Sequence, residues 1–246
     1  MIRAVFVFVL FASAARADEE RYAAALAPVG AGVVEASLGA GTAYAPGEVV
    51  TGIPVAPGII VGARYGISDN VQIAFPLLLT LSSTLHTASA GDARFSITTG
   101  LAGLGADDSG VLTVPAVAAS CALIGKHLAL VITLDTSAVT NQALHVEEGG
   151  FGLITGVLWR VDDRVALGFS GHASSTIAPS THGSRSIIGI GSEGGSVPGD
   201  VPTVRVFVAD PLTLELWAFA DFFRAGQSTG LDEVGANVSA TWHFAF

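Results

Sequence analysis

The chain has 246 residues, half of them hydrophobic, with 11 Lys plus Arg against 21 Asp plus Glu and only 13% charged residues in all. An ordinary soluble domain carries roughly 25% charged residues, so this composition and a mean hydropathy of +0.61 argue against both intrinsic disorder and a standard cytosolic enzyme. The acidic balance, with Lys126 as the single lysine, leaves no basic surface for nucleic acid, and no run beyond residue 17 approaches the roughly 20 apolar residues of a helical membrane span.

Residues 1–17 have the three parts of a cleavable signal peptide. Arg3 supplies the positive charge, residues 4–14 form the apolar core, and Ala15-Arg16-Ala17 matches the small-x-small pattern before a cleavage site. We therefore expect residues 18–30 to form a short periplasmic or lumenal lead-in, followed by one domain over residues 31–246. An exported chain with Cys121 as its single cysteine has no internal disulfide, so this residue is expected to act as a small hydrophobic side chain in a strand.

The rest of the chain alternates between apolar and small or polar residues with a period of two, which predicts β-strands with one apolar face. The alternation is clearest in residues 203–208, 212–223 and 237–246. Tight turns are predicted at Ser68-Asp69-Asn70, at residues 161–164 and at Asp210-Pro211. Counting the strands gives about 10 to 12. Four polar stretches are predicted to be longer loops: residues 83–92, 136–149, 175–200 and 225–235.

Both a soluble β-sandwich and a membrane barrel show such alternation. Here the second face is dominated by Gly, Ala, Ser and Thr, which suits a narrow barrel lumen, and the strands have the roughly 9 to 13 residues that a tilted strand needs to cross a bilayer. Unpaired backbone groups in hydrocarbon cost several kcal/mol each, so such a sheet must close on itself. We predict an all-β fold: a closed antiparallel transmembrane β-barrel with short periplasmic turns, longer external loops and both termini periplasmic.

The last strand resembles the C-terminal strand of Gram-negative outer-membrane β-barrel proteins, which alternates hydrophobic residues and ends in Phe or Trp. The residues that carry this resemblance are Gly235, Val238, Ala240, Trp242, Phe244 and Phe246. The segment 65–71 is similar to the short periplasmic hairpin of such barrels. The resemblance covers the architecture of the mature chain and implies an outer-membrane location, insertion by the barrel-assembly machinery, and contact with outer-membrane lipids and lipopolysaccharide. It implies neither a functional subfamily nor an oligomeric state.

Several charged residues share the phase of the small and polar face, and we expect them to point into the lumen. They are Arg64, Arg160, Arg205, Glu215, Asp221 and His243. Charges of both signs in a narrow lumen are expected to pair, because an unpaired buried charge costs several kcal/mol. Two interpretations remain: a structural network that fills the barrel, or a polar constriction that selects small solutes.

The sequence offers little evidence for catalysis. Its six histidines show no metal-ligand spacing, so neither a metal nor another cofactor is predicted. His172 and Ser174 lie two apart on one strand face, where a base could activate a nucleophile. This His-x-Ser is similar to that of outer-membrane lipid A deacylases and, less closely, phospholipases, although Ser175 stands where those families usually have Asn. The acid that would orient the histidine is not fixed; Glu147, Glu148 and Asp135 are candidates.

The sequence thus predicts a small passive channel or a structural or surface protein of the outer membrane. One alternative is a lipid-modifying hydrolase that uses His172 and Ser174. Another is an adhesin-like barrel that binds a surface through the predicted loop 175–200.

Overall fold

The computed structural model describes residues 26, 29–44, 55–75, 77–87, 91–107, 110–140, 146–178, 183–192, 201–225 and 228–246. These residues form the strands β1 (Val33–Tyr44), β2 (Val55–Ser68), β3 (Val71–Ala74), β4 (Leu77–Thr87), β5 (Gly91–Asp107), β6 (Gly110–Ile124), β7 (Leu128–Thr140), β8 (Val146–Arg160), β9 (Val165–Ala178), β10 (Gly183–Gly191), β11 (Val204–Ala209), β12 (Leu212–Ala225) and β13 (Ser228–Ala245). No described helix has the length and apolar character to cross a membrane.

The strands form one closed antiparallel sheet. Each strand from β1 to β9 pairs with the next, β12 pairs with β13, and β13 pairs with β1 and so closes the ring. Strands β10 and β11 share one place between β9 and β12, with β10 beside one end of these strands and β11 beside the other. Thirteen strands therefore occupy twelve positions. The prediction of a closed antiparallel barrel is confirmed, and the soluble sandwich is excluded.

The two ends of the barrel are named here by the chain. The lower rim is the end where Val33 pairs with Ala245, and the upper rim is the end where Tyr44 pairs with Val234. The tight turns at 69–70, 161–164 and 210–211 lie at the lower rim, together with the start of β1 and the end of β13.

The two faces of the sheet differ in the way expected of a barrel in a membrane. The outward face carries exposed large apolar side chains, among them Ile59, Ile132, Phe169 and Ile188. The inward face carries buried polar side chains, such as Thr80, Thr98, Thr133, Thr213 and Ser239. Apolar residues outside and polar residues inside are the reverse of a soluble protein and are typical of a transmembrane barrel.

Two predictions about strand limits are wrong. Strands take up most of the polar stretches 83–92, 136–149 and 225–235 and half of 175–200, which contains β10. Small polar side chains are compatible with strands here because they face a polar lumen, where an apolar inner face is not required. Residues 71–81 alternate as one continuous strand would, but they form β3 and the start of β4, two antiparallel strands that meet at the turn residue Phe75. Pro76 follows in the sequence, and a proline cannot donate to a strand ladder.

Candidate functional site in the barrel lumen

An ion-paired cluster lies inside the lower part of the barrel. Glu35 on β1 is paired in register with Arg64 on β2 and with His243 on β13, so the three side chains lie side by side across three strands. The guanidinium of Arg64 forms an ion pair with the Glu35 carboxylate. On the other side, Nδ1 of His243 lies 2.9 Å from Oε1 of Glu35. His243 Nε2 lies 3.2 Å from Oγ1 of Thr213, so both nitrogens of the ring have polar partners.

A second ion pair lies on the neighbouring strands. Arg205 on β11 and Glu215 on β12 are register partners, and Nε of Arg205 lies 3.1 Å from Oε1 of Glu215. The Ser239 hydroxyl donates to Oε2 of Glu215 at 3.4 Å, and Trp217 Nε1 donates to Ser239 at 3.3 Å. Arg205 is only 1% exposed and lies over the ring of Phe207 at 5.6 Å, a cation–π distance. Its charge is therefore compensated although it is buried.

A third pair lies on β9 and β12, across β10. Nε2 of His172 lies 3.3 Å from Oδ1 of Asp221, and the two residues flank Gly189 of β10 in the register. A Cβ atom at Gly189 would overlap both the imidazole and the carboxylate. The missing side chain at this position is thus what lets the pair meet across an intervening strand.

The remaining charged residue assigned to the lumen from the sequence lies elsewhere. Arg160 is the last residue of β8, and its guanidinium forms an ion pair with Asp163 in the turn 161–164 at the lower rim. The carboxylate of Asp163 is exposed, so this pair belongs to the rim and not to the buried clusters.

Sequence reasoning missed Glu35, the residue on which the first cluster is built. The alternation in β1 places Glu35 on the same face as Ser37 and Gly39, which would have revealed its direction. Its two partners are far away in sequence, and only the register of the closed sheet brings them to it.

The opposite side of the lower lumen is apolar. A buried cluster consists of Leu26, Ala122, Ile124, Ala129, Val131, Leu158, Ala166, Val201 and Phe207. Leu26 precedes β1 and Val201 lies between β10 and β11, so both enter the lumen from segments outside the strands. A Cβ at Gly156 would lie 2.5 Å from Cγ2 of Val201, and the backbone N–H of Gly168 donates to Thr203 O at 2.9 Å. Glycines on β8 and β9 thus make room for the inserted segment.

Residues 29–32 occupy the lumen on the other side of the lower rim. The backbone N–H of Val29 donates to Gln72 Oε1 at 2.9 Å, and that of Gly32 donates to Gly66 O at 2.9 Å. A Cβ at Gly66 would overlap the backbone oxygens of Val29 and Gly30. Of the described lead-in residues 26, 29 and 30, Leu26 and Val29 are buried in the barrel end.

The upper lumen is open beside β7, whereas on β12 the inward-facing Phe219 and Asp221 near the upper rim are buried. On β7 the inward-facing Ala129 and Thr133 are fully buried, whereas the inward-facing Ser137, four residues further up the strand, is exposed. A cavity of about 110 Å³ lies beside this transition, and its lining includes Leu78, Thr98, Asp135 and Ser137. On the side of β7, the lumen is therefore an open vestibule above a filled floor.

The candidate catalytic residues both face this lumen and not the lipid-facing surface. His172 is opposite Ile154 and Gly189, and Ser174 is opposite Gly152, all on the inner face of the sheet. The acid beside the histidine is Asp221, which was not among the acids proposed from the sequence. The side chains of residues 147 and 148 lie outside those described, and Asp135 lies over Gly152. The described residues contain no group of three or more His, Cys, Asp or Glu side chains suited to a metal ion.

The residues of the predicted assembly motif lie on β13, the strand that closes the barrel. Val238 faces outward and is exposed, and Gly235 is paired with Ala43 on the inner face. Phe246 is largely exposed, and its backbone N–H donates to Gly32 O at 3.0 Å. Recognition of this strand by the assembly machinery stays a prediction.

Comparisons with known proteins bear on the fold. No protein-family model matches the sequence, and no curated protein matches it. An outer membrane channel from Pseudomonas putida F1 is similar in structure, with a TM-score of 0.50 and 12% identity over 89% of this chain and 98% of that chain. Lower scores are found with CymD, a monoaromatic hydrocarbon channel (TM-score 0.47, 9% identity, 96% and 94% coverage), and with OmpT of Vibrio cholerae (0.39, 7%, 86% and 97%). The likeness to the channel from Pseudomonas shows that this chain has the fold of an outer-membrane β-barrel.

Proposed function

We propose that this protein is a small passive channel of the outer membrane. The observation that carries the proposal is the gradient of exposure along the inner face of β7, from the exposed Ser137 down to the fully buried Thr133 and Ala129. The lumen beside β7 is accessible down to Ser137, and below it lies a floor that is polar on one side. The apolar outer face and the signal peptide expected at residues 1–17 support a location in the outer membrane.

The polar side of the floor is the expected path for solute. It contains two compact ion pairs, Glu35 with Arg64 and Glu215 with Arg205. Paired charges of both signs in a narrow pore hold water and exclude apolar side chains, and they raise the barrier for any solute that cannot replace part of its hydration shell. We expect such a channel to have a low conductance and to admit only small solutes.

The test is the single-channel conductance of the refolded mature protein in planar bilayers, once a gel shift between unboiled and boiled samples has shown a compact barrel. Glu215→Gln is expected to change the conductance or the ion selectivity, because it removes one charge from the floor. Asp163→Asn is the matched control, since this carboxylate lies exposed in a rim turn and should leave both unchanged. A compact barrel without any conductance would refute the channel.

A lipid-modifying hydrolase is the second candidate, favoured by the contact between His172 and Asp221. An acid beside a histidine is the orienting half of a nucleophile–base–acid arrangement, and Ser174, two residues along the same strand face, is the candidate nucleophile. The lumenal position requires an acyl chain to enter the barrel. Ser174→Ala should abolish deacylation of outer-membrane lipid if the hydrolase exists, and should leave conductance unchanged. For the adhesin alternative, β9 and β10 occupy half of the proposed binding loop 175–200, and residues 179–182 and 193–200 lie outside those described.

A further inference from the structure

The barrel wall is low at one place. Strand β3 has only four residues, and it pairs with β2 at Arg64–Ser68 and with β4 at Leu78–Leu81. The uppermost backbone bond between β2 and this hairpin is donated by Phe75 N–H to Ala63 O, at 2.8 Å. Among the described residues, positions 55–62 of β2 pair only with β1, and positions 103–107 of β5 pair only with β6.

The upper parts of β2 and β5 therefore border a window above the β3–β4 hairpin. The two strands are three ladder steps apart, which corresponds to a width of about 14 Å at a strand spacing of about 4.8 Å. The other interruption of the wall, between β10 and β11, differs from this window. There Gly168 N–H donates to Thr203 O, and Ala218 N–H donates to the Thr203 hydroxyl at 3.1 Å, so the break is bridged.

The window lies at the level of lipid. Its borders carry exposed apolar side chains, Ile59 and Val61 on β2 and Leu77 at the top of β4. Strand edges with unpaired backbone groups are not stable against hydrocarbon, and they are tolerated at membrane depth where they line a water-filled cavity. The cavity on the side of β7, with the exposed Ser137 in its lining, provides room for that water. The window thus joins the vestibule to the bilayer.

The cavity of about 110 Å³ is lined by residues of β4 to β7 and so lies on the β5 side of the window. Leu78 and Ala102, which line it, are residues at the top of β4 and just above the last β5 residue that pairs with β4. An apolar cavity of about 150 Å³ can hold benzene, so a cavity of about 110 Å³ limits the ligand to at most one ring. Asp135 supplies the single carboxylate of the lining, and it can accept a hydrogen bond from a hydroxyl or an amine.

We propose that the window is a side passage between the lumen and the bilayer for small, largely apolar molecules that carry a hydrogen-bond donor, and that the cavity is their binding site. This deepens the proposed channel function and rests on it. Below the cavity the lumen is filled by Leu26, Val201 and their neighbours, whereas the window is bordered by lipid. Each methylene group that moves from water into hydrocarbon lowers the free energy by about 0.8 kcal/mol, so an apolar solute in the vestibule is driven sideways.

The passage is tested with single cysteines in a Cys121→Ser background, in proteoliposomes. Ser137→Cys lies in the cavity lining, and Ser174→Cys is the matched control, an inward-facing serine on β9 away from the window. One reagent is a phospholipid with a maleimide at the end of an acyl chain, and the other is a charged, water-soluble thiosulfonate. The lipid reagent should label Ser137→Cys at least about tenfold faster than Ser174→Cys, whereas the aqueous reagent should label both.

Filling the window should abolish this difference. Ala102→Trp is expected to slow the lipid reagent at Ser137→Cys about tenfold and to leave the aqueous reagent within about twofold. Val114→Trp, in the same lining, repeats the test if the first variant does not give a compact barrel. Equal labelling of both cysteines by the lipid reagent, or labelling insensitive to both tryptophans, overturns the passage. Conductance measured on the same samples reports on the channel separately, so a failure of the passage can be distinguished from a failure of the channel.

The ligand class is tested by protection. Benzyl alcohol, which has one ring and one donor, should slow the labelling of Ser137→Cys by the aqueous reagent. Benzoate should not, because its charge opposes that of Asp135. Protection by benzyl alcohol should be lost in Asp135→Ala, and protection that survives this substitution would overturn the role of the carboxylate.

Discussion

Leu26→Ala is expected to open the lower end of the lumen without unfolding the barrel. Leu26 is 4% exposed and belongs to the buried cluster that includes Val131, Leu158 and Val201, but it contributes nothing to the strand ladder. Removing a buried leucine side chain costs about 2 to 5 kcal/mol. This loss weakens the binding of the lead-in inside the barrel and not the barrel itself, because the strands keep all their backbone hydrogen bonds. At about 1.4 kcal/mol per factor of ten, a loss of about 3 kcal/mol reduces the ratio of docked to undocked lead-in about a hundredfold.

Single-channel recording tests this prediction, since an undocked lead-in should give longer open times or a larger steady conductance. Leu38→Ala is the control, because it deletes the same atoms from an exposed, outward-facing position. The gel shift on boiling should be the same for both variants and for the unmodified protein. If Leu26→Ala lowers the unfolding temperature of the whole barrel but leaves conductance unchanged, the lead-in is part of the structural core and does not control passage.

Three further predictions concern the lumen and the last strand. Arg205→Met should destabilise the barrel by about 3 to 5 kcal/mol in urea unfolding, because it leaves the buried Glu215 without its partner, and adding Glu215→Met should restore most of that loss. Gly189→Ala should separate the histidine–aspartate pair beside it and lower stability, whereas Gly171→Ala, whose new Cβ would meet only Gly189 O at 3.6 Å, should have little effect in the same assay. Phe246→Ala should reduce the amount of barrel inserted in cells but not the refolding yield in detergent, because its exposed side chain contributes little packing; equal loss in both measurements would contradict a role in assembly.

The fold could be predicted because a membrane barrel imposes one simple pattern on every strand. Residues 212–223 alternate so regularly that the outward direction of Leu214 and the inward direction of Glu215 follow from the period alone. Strand limits were harder. Small polar residues occupy both the lumen face and the loops, so composition alone did not reveal β10 within residues 175–200.

The contacts inside the lumen could not be predicted to the same extent. The direction of a side chain depends on its own strand, whereas its partner depends on the register between strands that are far apart in sequence. Glu35 meets Arg64 and His243 because the barrel closes between β1 and β13, and closure is a property of the whole sheet. The contact of His172 with Asp221 also requires a glycine at position 189, because a Cβ atom there would overlap both side chains. This requirement can be recognised only when the register places Gly189 between the two residues.

The division of the lower lumen into a polar and an apolar side has a physical consequence. Burying an ion pair costs about as much desolvation energy as the attraction returns, so the pair of Arg205 and Glu215 adds little to stability compared with apolar side chains of the same size. The apolar side, by contrast, binds Leu26 and Val201 with the full benefit of burial. A barrel that only needed to be stable could have an apolar floor throughout. The desolvation energy spent on the polar side of the floor is therefore best explained by a role in solute passage. Neutralising substitutions on this side should alter conductance most.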